Sequence, residues 1–201
     1  MHIICNDNYS FTGRFYLASQ SPRRFELLTA AGFSFEVLPP DDGVEDERLA
    51  NETPRQYVCR QAIQKARNVA KKIESGCVIA CDTVAFCGNE LLGKPADKND
   101  ARRMLKYLRG KKHYVISGLC VLTKKDNEPE KLKVIAEQTE LVMQEINDQQ
   151  IESYLDSGEW KGKAGAFGYQ DNNSWIKIIN GNESNVVGLP IEQLRKLLEQ
   201  K

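Results

Sequence analysis

The 201-residue sequence contains no apolar run near the roughly 18 residues that a membrane-spanning helix requires, and its start lacks the features of a signal peptide. It also lacks a net charge, because 28 Lys and Arg residues balance 28 Asp and Glu residues. This balance disfavours a general binder of nucleic acids or of membrane surfaces. We therefore expect a cytoplasmic protein that interacts with neither.

Signals for metal-binding cysteines and for disulfides are also missing. The six cysteines are scattered, no Cys-x-x-Cys pair occurs, and there are only two histidines, His2 and His113. This pattern disfavours a zinc site and a disulfide scaffold, and it indicates reduced and mostly buried thiols. His113 lies in a strand-like run and is expected to be structural. The glycines form neither a Walker loop nor the strand-linked Gly-x-Gly-x-x-Gly fingerprint.

The sequence does contain a regular succession of strand and helix patterns. Strands and helices alternate early, and strands pair in hairpins later, which predicts an α/β fold with a mixed sheet. No repeat or linker divides the chain, so we expect a leader over residues 1–14 and a single domain over residues 15–201. The predicted strands are 15–18, 33–38, 77–81, 84–86, 90–92, 112–123, 133–145 and 175–179. The predicted helices are 22–31, Pro54 to Gly76, Asn99 and Asp100 to Leu108, 148–157, and Pro190 to about Gln200.

The start of the first predicted helix combines features that suit an anion. Ser21 occupies the capping position, Pro22 the first helical position, and Arg23 and Arg24 follow directly. Cations at this end oppose the helix dipole by about 0.3–1 kcal/mol each, whereas free amides, a hydroxyl and two guanidinium groups together suit a phosphate. An ordinary helix cap with two solvated arginines explains the same spacing equally well.

Two acidic positions are candidates for a divalent-cation site. Asp82 directly follows the apolar strand 77–81, at the place where ligands of α/β proteins commonly bind. The acidic loop 41–47 offers Glu45 as a second carboxylate, and two carboxylates together with phosphate oxygens suit Mg²⁺. Taken singly, Asp82 is also explained as the cap of a turn, and the acidic loop as a solvated segment.

Two lysines and a glycine-rich segment complete the candidates. Lys94 lies in a Gly-Lys-Pro turn and Lys65 lies inside the long helix, and either ammonium could pair with phosphate or be an ordinary surface lysine. The segment 162–168 allows a ligand to approach the backbone closely, and Gln170 beside it could read a base edge through its amide. A packed loop of small residues is the alternative explanation.

Six ordered segments resemble the Maf family, whose members have been described as septum-formation inhibitors and as nucleoside triphosphate pyrophosphatases. The resemblance runs in the family's order from residue 15 onwards and covers nearly the whole chain. Any one segment would be a weak signal, whereas six in order are specific. The segments are Leu17–Arg24 with Glu26–Leu28, Gln64–Arg67, Cys81–Thr83, Leu92–Pro95, Lys163–Gln170 and Asn185–Pro190.

The resemblance implies an elongated mixed β-sheet flanked by helices, with two lobes around a central cleft, as in ITPase-like folds. It implies an enzyme that hydrolyses the α–β phosphoanhydride of a nucleoside triphosphate with Mg²⁺ or Mn²⁺, and it is compatible with a homodimer. The acidic loop is a residue longer than usual, so Glu47 is an alternative to Glu45. The implied roles are triphosphate binding by Ser19, Arg23 and Arg24, neutralisation of pyrophosphate by Lys65 and Lys94, metal binding by Glu45 and Asp82, and activation of water by Asp82.

Three positions resemble the branch of the family that acts on dTTP and UTP: Arg23 after the proline, Thr83 after the aspartate, and Gln170 after the glycine-rich segment. A glutamine amide both donates and accepts, which suits the edge of uracil or thymine, whereas a glutamate suits the donors of guanine. Asp171 departs from the family's usual glycine beside this position. Two alternatives stay open: a 7-methyl-GTP pyrophosphatase of the same family, and a non-catalytic nucleotide-binding regulator of cell division.

Overall fold

A computed structural model describes residues 13–126, 128–171 and 174–199. Most of the predicted leader falls outside these ranges, as does Asn127 in the predicted turn between the two long strands. Within the ranges, no helix combines the length and the hydropathy that crossing a membrane would need. The division of the chain into a leader and a domain from residue 15 stays a prediction.

Strands and helices follow one another along the chain in the predicted order. The strands are β1 (Phe15–Leu17), β2 (Phe35–Val37), β3 (Gly76–Cys87), β4 (Glu90–Leu92), β5 (Lys112–Lys124), β6 (Lys131–Met143) and β7 (Ile176–Asn180). The helices are α1 (Pro22–Ala30), α2 (Pro54–Ala70), α3 (Lys98–Leu108), α4 (Asp148–Ser157), α5 (Glu183–Val187) and α6 (Ile191–Glu199), and a short 3₁₀ turn covers Ala164–Ala166.

These strands join one mixed sheet. Its order is β2-β1-β3-β5-β6-β7, and β4 pairs with β3 as a hairpin. β1 lies parallel to β2 and to β3, whereas the other pairs are antiparallel. The long central pair of β3 and β5 runs from Gly76 opposite Lys124 to Phe86 opposite Tyr114. The predicted α/β fold with a mixed sheet flanked by helices is confirmed, and the two lobes around a cleft stay a prediction.

The central strand β3 is buried on both faces, as its apolar run predicts. α2 covers one face, where Ala62 and Ala66 pack with Val78 of β3. α1 and α6 cover the other face, where Leu28 and Leu194 lie in one apolar cluster with neighbouring strand residues. Because successive strand residues point to opposite faces, neighbouring residues of β3 meet different helices.

Helix α2 approaches the sheet closely at Gly118 of β5, which is paired with Asp82 of β3. A Cβ atom on Gly118 would overlap the main chain of Val58 and Cys59 in α2. Only glycine fits at this position, and it allows α2 to lie directly over the strand pair that carries Asp82. The side chains of α2 are thereby brought within reach of Asp82.

The predicted end of α2 and the predicted start of α3 are wrong. In each case a contact of a neighbouring residue outweighs the local sequence pattern. Gly76 does not end α2, which stops at Ala70; it begins β3 with φ of 147°, where a Cβ atom would overlap the ring of Tyr16. The cap of α3 is Asp97 rather than Asn99 or Asp100, and its side chain accepts a hydrogen bond from the N–H of Asp100.

Two further differences lie near the candidate residues. β3 does not stop at Cys81 but continues to Cys87, because its pairing with β5 continues without a break. α5, a short helix capped by the side chain of Asn182, was not predicted from the sequence. Asp82 and Thr83 are therefore strand residues, and the Asn185–Pro190 segment begins inside a helix.

Candidate active site

Asp82 lies where β1 ends and β3 continues. β1 pairs with β3 as far as Leu17 opposite Ile79, and Asp82 is three residues further along β3. Asp82 was predicted to follow a strand, and it instead lies within one, but it still lies beyond the carboxyl end of the parallel strand β1. Ser19, two residues after the end of β1, lies at the same edge. This edge is the usual position of ligand sites in α/β sheets.

Lys65 connects the two predicted carboxylates. Its Nζ atom lies 2.7 Å from Oδ1 of Asp82 and 2.7 Å from Oε1 of Glu45. Lys65 is 4% exposed and Asp82 is 8% exposed, so most of this cluster is shielded from water. Lysines are almost never buried without a charged partner, which excludes the interpretation of Lys65 as an ordinary surface lysine. The structure thus brings together three of the residues singled out in the sequence.

The loop carboxylate that reaches this cluster belongs to Glu45. Glu47 instead contributes its carbonyl oxygen, which accepts a hydrogen bond of 3.0 Å from Nη2 of Arg60. Arg60 also binds both carboxylate oxygens of Glu52, at 2.7 and 2.8 Å, and so fixes the far end of the same loop to α2. Of the two glutamates left open by the sequence, Glu45 is the one beside Lys65.

The start of α1 forms a second cluster. Ser21 occupies the predicted cap position, but its side chain makes no capping bond. Ser19 Oγ accepts hydrogen bonds from the N–H of Ser21 at 3.1 Å and from Nη1 of Arg24 at 3.2 Å. Arg24 also donates to the carbonyl oxygen of Gly188 at 2.8 Å and to Oγ1 of Thr83 at 3.3 Å. Its guanidinium group is thus held in one orientation by three partners.

Asp82 and Thr83 join the two clusters. Asp82 contacts Lys65 of α2, whereas Thr83, which points to the other face of β3, contacts Arg24 of α1. Thr83 is itself held by Ser117 of β5, at 2.8 Å between the two hydroxyl oxygens. Two adjacent residues of one strand therefore fix the ammonium on one side and the guanidinium on the other.

Arg23 lies beside Arg24 and contacts the glycine-rich segment. Its Nη2 donates a hydrogen bond of 2.9 Å to the carbonyl oxygen of Gly162. Burial, and then the like charge of Arg24, lower the pKa of the Arg23 guanidinium, while the carboxylate of Asp171 acts in the opposite direction. An anion bound near both guanidinium groups would relieve this repulsion, as the predicted phosphate site requires.

Asp171 holds the end of the glycine-rich segment in place. Its carboxylate forms an ion pair with Lys163 and accepts a hydrogen bond of 2.5 Å from the hydroxyl of Tyr154 in α4. A Cβ atom on Gly168 would overlap this carboxylate, so a larger residue there would displace the Asp171 side chain. Gln170, directly before Asp171, is exposed. The departure from the family's usual glycine at position 171 therefore has a structural role in this chain.

The Lys94 turn is joined to the same segment. The N–H of Gly165 donates a hydrogen bond of 3.0 Å to the carbonyl oxygen of Gly93. Gly165 has φ of 70°, a conformation that favours glycine and allows this contact. The Lys94 side chain is exposed. The turn and the glycine-rich segment thus form a connected unit on which Lys94 and Gln170 both face solvent.

Electrostatics show that three cations act on one carboxylate. Burial opposes the ionisation of Glu45, but the hydrogen bond from Lys65 and the charges of Lys65, Lys94 and Arg24 outweigh it and lower the Glu45 pKa. Lys94 and Arg24 therefore lie within electrostatic range of the Lys65–Asp82 cluster. Three of the positive residues singled out in the sequence therefore act on the same carboxylate.

The carboxylates fit a hard divalent cation. Among the described residues, no group of three or more His, Cys, Asp or Glu side chains could hold a metal alone. Mg²⁺ takes one or two protein carboxylates and completes its shell with water and phosphate oxygens. Lys65 contacts one oxygen each of Glu45 and Asp82, and no described residue hydrogen-bonds to the second oxygen of either. The pair therefore suits a cation that arrives with a phosphate ligand.

Comparison with known families decides the identity of the fold. Residues 14–201 match the family described as "Maf-like protein". The chain belongs to the Maf family. This match confirms the resemblance that rested on six segments of the sequence, and it spans both clusters of the candidate site.

Curated relatives and a solved structure agree with this assignment. A dTTP/UTP pyrophosphatase of Rhodopirellula baltica is 48% identical over 184 residues, covering 91% of this chain and 80% of the relative. A dTTP/UTP pyrophosphatase of Ruminiclostridium cellulolyticum is 41% identical, covering 92% of this chain and 94% of the relative. The structure of a HAM1 protein from Coxiella burnetii has a TM-score of 0.50 at 15% identity, covers 93% of this chain and 98% of the neighbour, and supports the fold alone.

Sequence reasoning missed two polar residues that shape this Maf site. Gln61 of α2 is fully buried, and Tyr154 of α4 binds Asp171 through its hydroxyl. The signal for Gln61 was present in the spacing, since residue 61 falls on the same helical face as Val58 and Lys65. A polar residue on the face that packs against a sheet needs a specific partner.

Proposed function

We propose that this protein hydrolyses dTTP and UTP to the nucleoside monophosphate and pyrophosphate, with a divalent cation. The observation that carries the proposal is the Lys65 ammonium placed 2.7 Å from both Asp82 and Glu45, within the field of two further cations. The names of curated relatives at up to 48% identity support the substrate and the reaction. The site supplies both functions that phosphoryl transfer needs, charge neutralisation and positioning of the reactants.

The cations in the site are assigned to the triphosphate. Ser19, Arg23 and Arg24 at the start of α1 would hold its phosphate oxygens, since these residues and the first-turn amides provide oriented donors. Lys65 and Lys94 would neutralise the charge that accumulates on the departing pyrophosphate. In this assignment, the two adjacent guanidinium groups bind one anion together, and its negative charge offsets the repulsion between them.

Asp82 is assigned as the base that activates water. The water oxygen attacks the α-phosphorus, its proton passes to the Asp82 carboxylate, and the bond between the α-phosphorus and the bridging oxygen breaks. That oxygen leaves with the β- and γ-phosphates, so one nucleotide and one water give one monophosphate and one pyrophosphate. Glu45 and Asp82 would hold Mg²⁺ or Mn²⁺, which supplies charge neutralisation and polarisation of the attacked phosphate.

Gln170 is assigned to the nucleobase. Its amide offers one donor and one acceptor, which complement the O4 and N3–H groups of uracil and thymine. Gln170 is exposed, next to the Asp171–Lys163 ion pair that holds the segment. An exposed amide on an anchored backbone is suited to reading a base edge.

A nucleotide panel tests the proposal. The purified protein is incubated with Mg²⁺ and each of dTTP, UTP, dCTP, GTP, ATP and 7-methyl-GTP, and pyrophosphate and orthophosphate are measured separately. We expect pyrophosphate to form fastest from dTTP and UTP. Faster turnover of 7-methyl-GTP would overturn the base assignment, and release of orthophosphate alone would overturn the reaction. Absence of any turnover would leave nucleotide binding without catalysis, the regulator alternative.

A further inference from the structure

Gln61 is a buried polar residue of α2 to which the proposed reaction gives no role. It is 0% exposed, and both polar atoms of its side chain have partners. Nε2 donates a hydrogen bond of 2.5 Å to the carbonyl oxygen of Asp46, and Oε1 accepts one of 3.3 Å from the N–H of Asp46. One amide therefore binds both main-chain polar groups of a single loop residue.

The residue held by Gln61 directly follows Glu45. The loop 41–52 contains no helix or strand, and the side chain of Glu45 is 55% exposed, so packing does little to orient it. Gln64 adds a hydrogen bond of 2.5 Å to a carboxylate oxygen of Asp46, but that bond acts on a rotatable side chain. The two hydrogen bonds from Gln61 act on the main chain of Asp46. They therefore fix the Cα position of Glu45 more directly than the hydrogen bond from Gln64 does.

Gln61 and Lys65 are also one helical turn apart on α2. Residues four apart on a helix lie on the same face, so the loop contact and the catalytic ammonium belong to one rigid element. With the loop against this face, the Glu45 carboxylate lies 2.7 Å from Nζ of Lys65. The position of Glu45 is therefore set by α2 through the contact with Lys65 and through the residues that hold Asp46, among which Gln61 binds the main chain.

We propose that Gln61 is a positioning residue, which places the Glu45 carboxylate beside Asp82 and thereby sets the affinity of the site for its divalent cation. This inference rests on the proposed function, in which Glu45 and Asp82 hold the metal. Partners that orient metal ligands typically change metal affinity or activity about 10–100-fold when they are removed. Loss of Gln61 should therefore weaken the metal site and leave Asp82 and Lys65 in place.

The test compares Mn²⁺ binding by the wild type and by Gln61→Leu. Mn²⁺ is titrated in the presence of the non-hydrolysable analogue α,β-imido-UTP, and free Mn²⁺ is followed by electron paramagnetic resonance. We expect the Kd for Mn²⁺ to rise about 10–100-fold in Gln61→Leu. The matched control is Gln193→Leu, which removes an amide of α6 that binds Glu137 and should leave the Kd within about twofold.

The Mn²⁺ dependence of pyrophosphate release is a second measurement, and a loss of stability alone would not change it. The Mn²⁺ concentration for half-maximal pyrophosphate release should rise by the same factor as the Kd, while kcat at saturating Mn²⁺ stays within about threefold. If Gln61→Leu does not fold, the isosteric Gln61→Glu carries the test, because its carboxylate would face the carbonyl oxygen of Asp46 and repel it. The same rise in the Kd is expected.

The outcomes separate the inference from the proposed function. An unchanged Mn²⁺ Kd in the Gln61 variants overturns the inference even if the wild type releases pyrophosphate. A wild type that does not bind Mn²⁺ with the analogue also overturns it. A wild type that releases no pyrophosphate from any nucleotide overturns the proposed function, and the Mn²⁺ titration still decides whether Gln61 positions a cation site.

Discussion

The two sides of the site are built differently. On the carboxylate side, Lys65 and Asp82 are almost fully buried, project from α2 and β3, and contact each other at 2.7 Å. On the loop side, Lys94 and Gln170 are exposed and project from a turn and from the glycine-rich segment. Within the described ranges of the chain, no residue forms a hydrogen bond with the side chain of Gln170.

In the proposed function, this difference separates the buried groups at the reacting phosphate from the exposed groups that contact the rest of the nucleotide. Regular elements would hold the groups that must be placed accurately for phosphoryl transfer, whereas the turn and the glycine-rich segment would carry the groups for the leaving pyrophosphate and for the variable base. Changes on the carboxylate side should therefore reduce the rate strongly for every nucleotide. Changes on the loop side should alter binding and preference more than the chemical step. Similar effects on both sides would contradict the division.

The largest effect is expected for Asp82→Asn. Asparagine keeps the shape of the side chain and an oxygen facing Lys65, but it cannot accept the proton of the attacking water. We expect kcat for UTP to fall about 10³-fold, in the range of a lost general base, with KM changed little. Pyrophosphate release at saturating UTP measures this. The control is Asp156→Asn on the surface of α4, which should keep the wild-type rate; a rate for Asp82→Asn above a tenth of wild type would contradict the assignment.

The next effect concerns the free energy of unfolding at low pH, which we expect to depend on His113 in the core beneath the glycine-rich segment. His113 is fully buried, packs edge-on against Phe167 with ring centroids 5.1 Å apart, and burial lowers its pKa to about 4. The unfolded chain binds this proton below a pKa of about 6.5 and the folded chain only below about 4, so stability is lost as the pH falls through this window. The total loss is about 3 kcal/mol.

Urea unfolding between pH 7 and pH 4 measures this loss. His113→Phe keeps an aromatic ring against Phe167 and removes the titrating group, so its unfolding free energy should depend less steeply on pH in that window. If the unfolding free energy has the same slope against pH in the wild type and in His113→Phe, protonation of His113 does not cause the loss of stability.

A smaller effect is expected for Lys94→Met. The exposed ammonium acts on the pyrophosphate through charge rather than through a buried contact, so we expect kcat/KM for UTP to fall about 10–100-fold, less than for Asp82→Asn. Lys125→Met removes another exposed lysine and should have no effect. A loss for Lys94→Met that matches the loss for Asp82→Asn would show that the two sides of the site are equally demanding.

The smallest effect is expected for Gln170→Glu. The carboxylate loses the donor that pairs with O4 of uracil and gains affinity for the N–H groups of guanine. We expect the ratio of kcat/KM for UTP to that for 7-methyl-GTP to fall about tenfold, mainly through KM, while kcat for UTP stays near its wild-type value. An unchanged ratio would remove Gln170 from base recognition.

Much of the fold follows from patterns that are local in the sequence. The bounds of α4 over 148–157 were predicted correctly, because Asn147 caps the helix and Gly158 ends it in the left-handed conformation. The length of β3 was not predicted, because its last residues are held by the partner strand β5 rather than by an apolar run. Helix α5 was not predicted either, because its five residues are too few to show a helical hydrophobic periodicity.

The sequence singled out the residues of the candidate site but not their arrangement. The resemblance singled out Lys65, Asp82 and an acidic loop, yet the sequence could not show that one ammonium lies between two carboxylates. The choice of Glu45 over Glu47 depends on how the loop folds back on α2, which is a tertiary contact. The role of Gln61 was hidden for the same reason, because its partner is a main-chain group that no sequence pattern identifies.

The position of bond cleavage tests the central claim most directly. The wild-type protein is incubated with UTP and Mg²⁺ in H₂¹⁸O, and the products are analysed by mass spectrometry. If the buried carboxylate directs water to the α-phosphorus, one ¹⁸O atom appears in UMP and none in pyrophosphate. Label in pyrophosphate or in orthophosphate, with unlabelled UMP or UDP, would contradict the account.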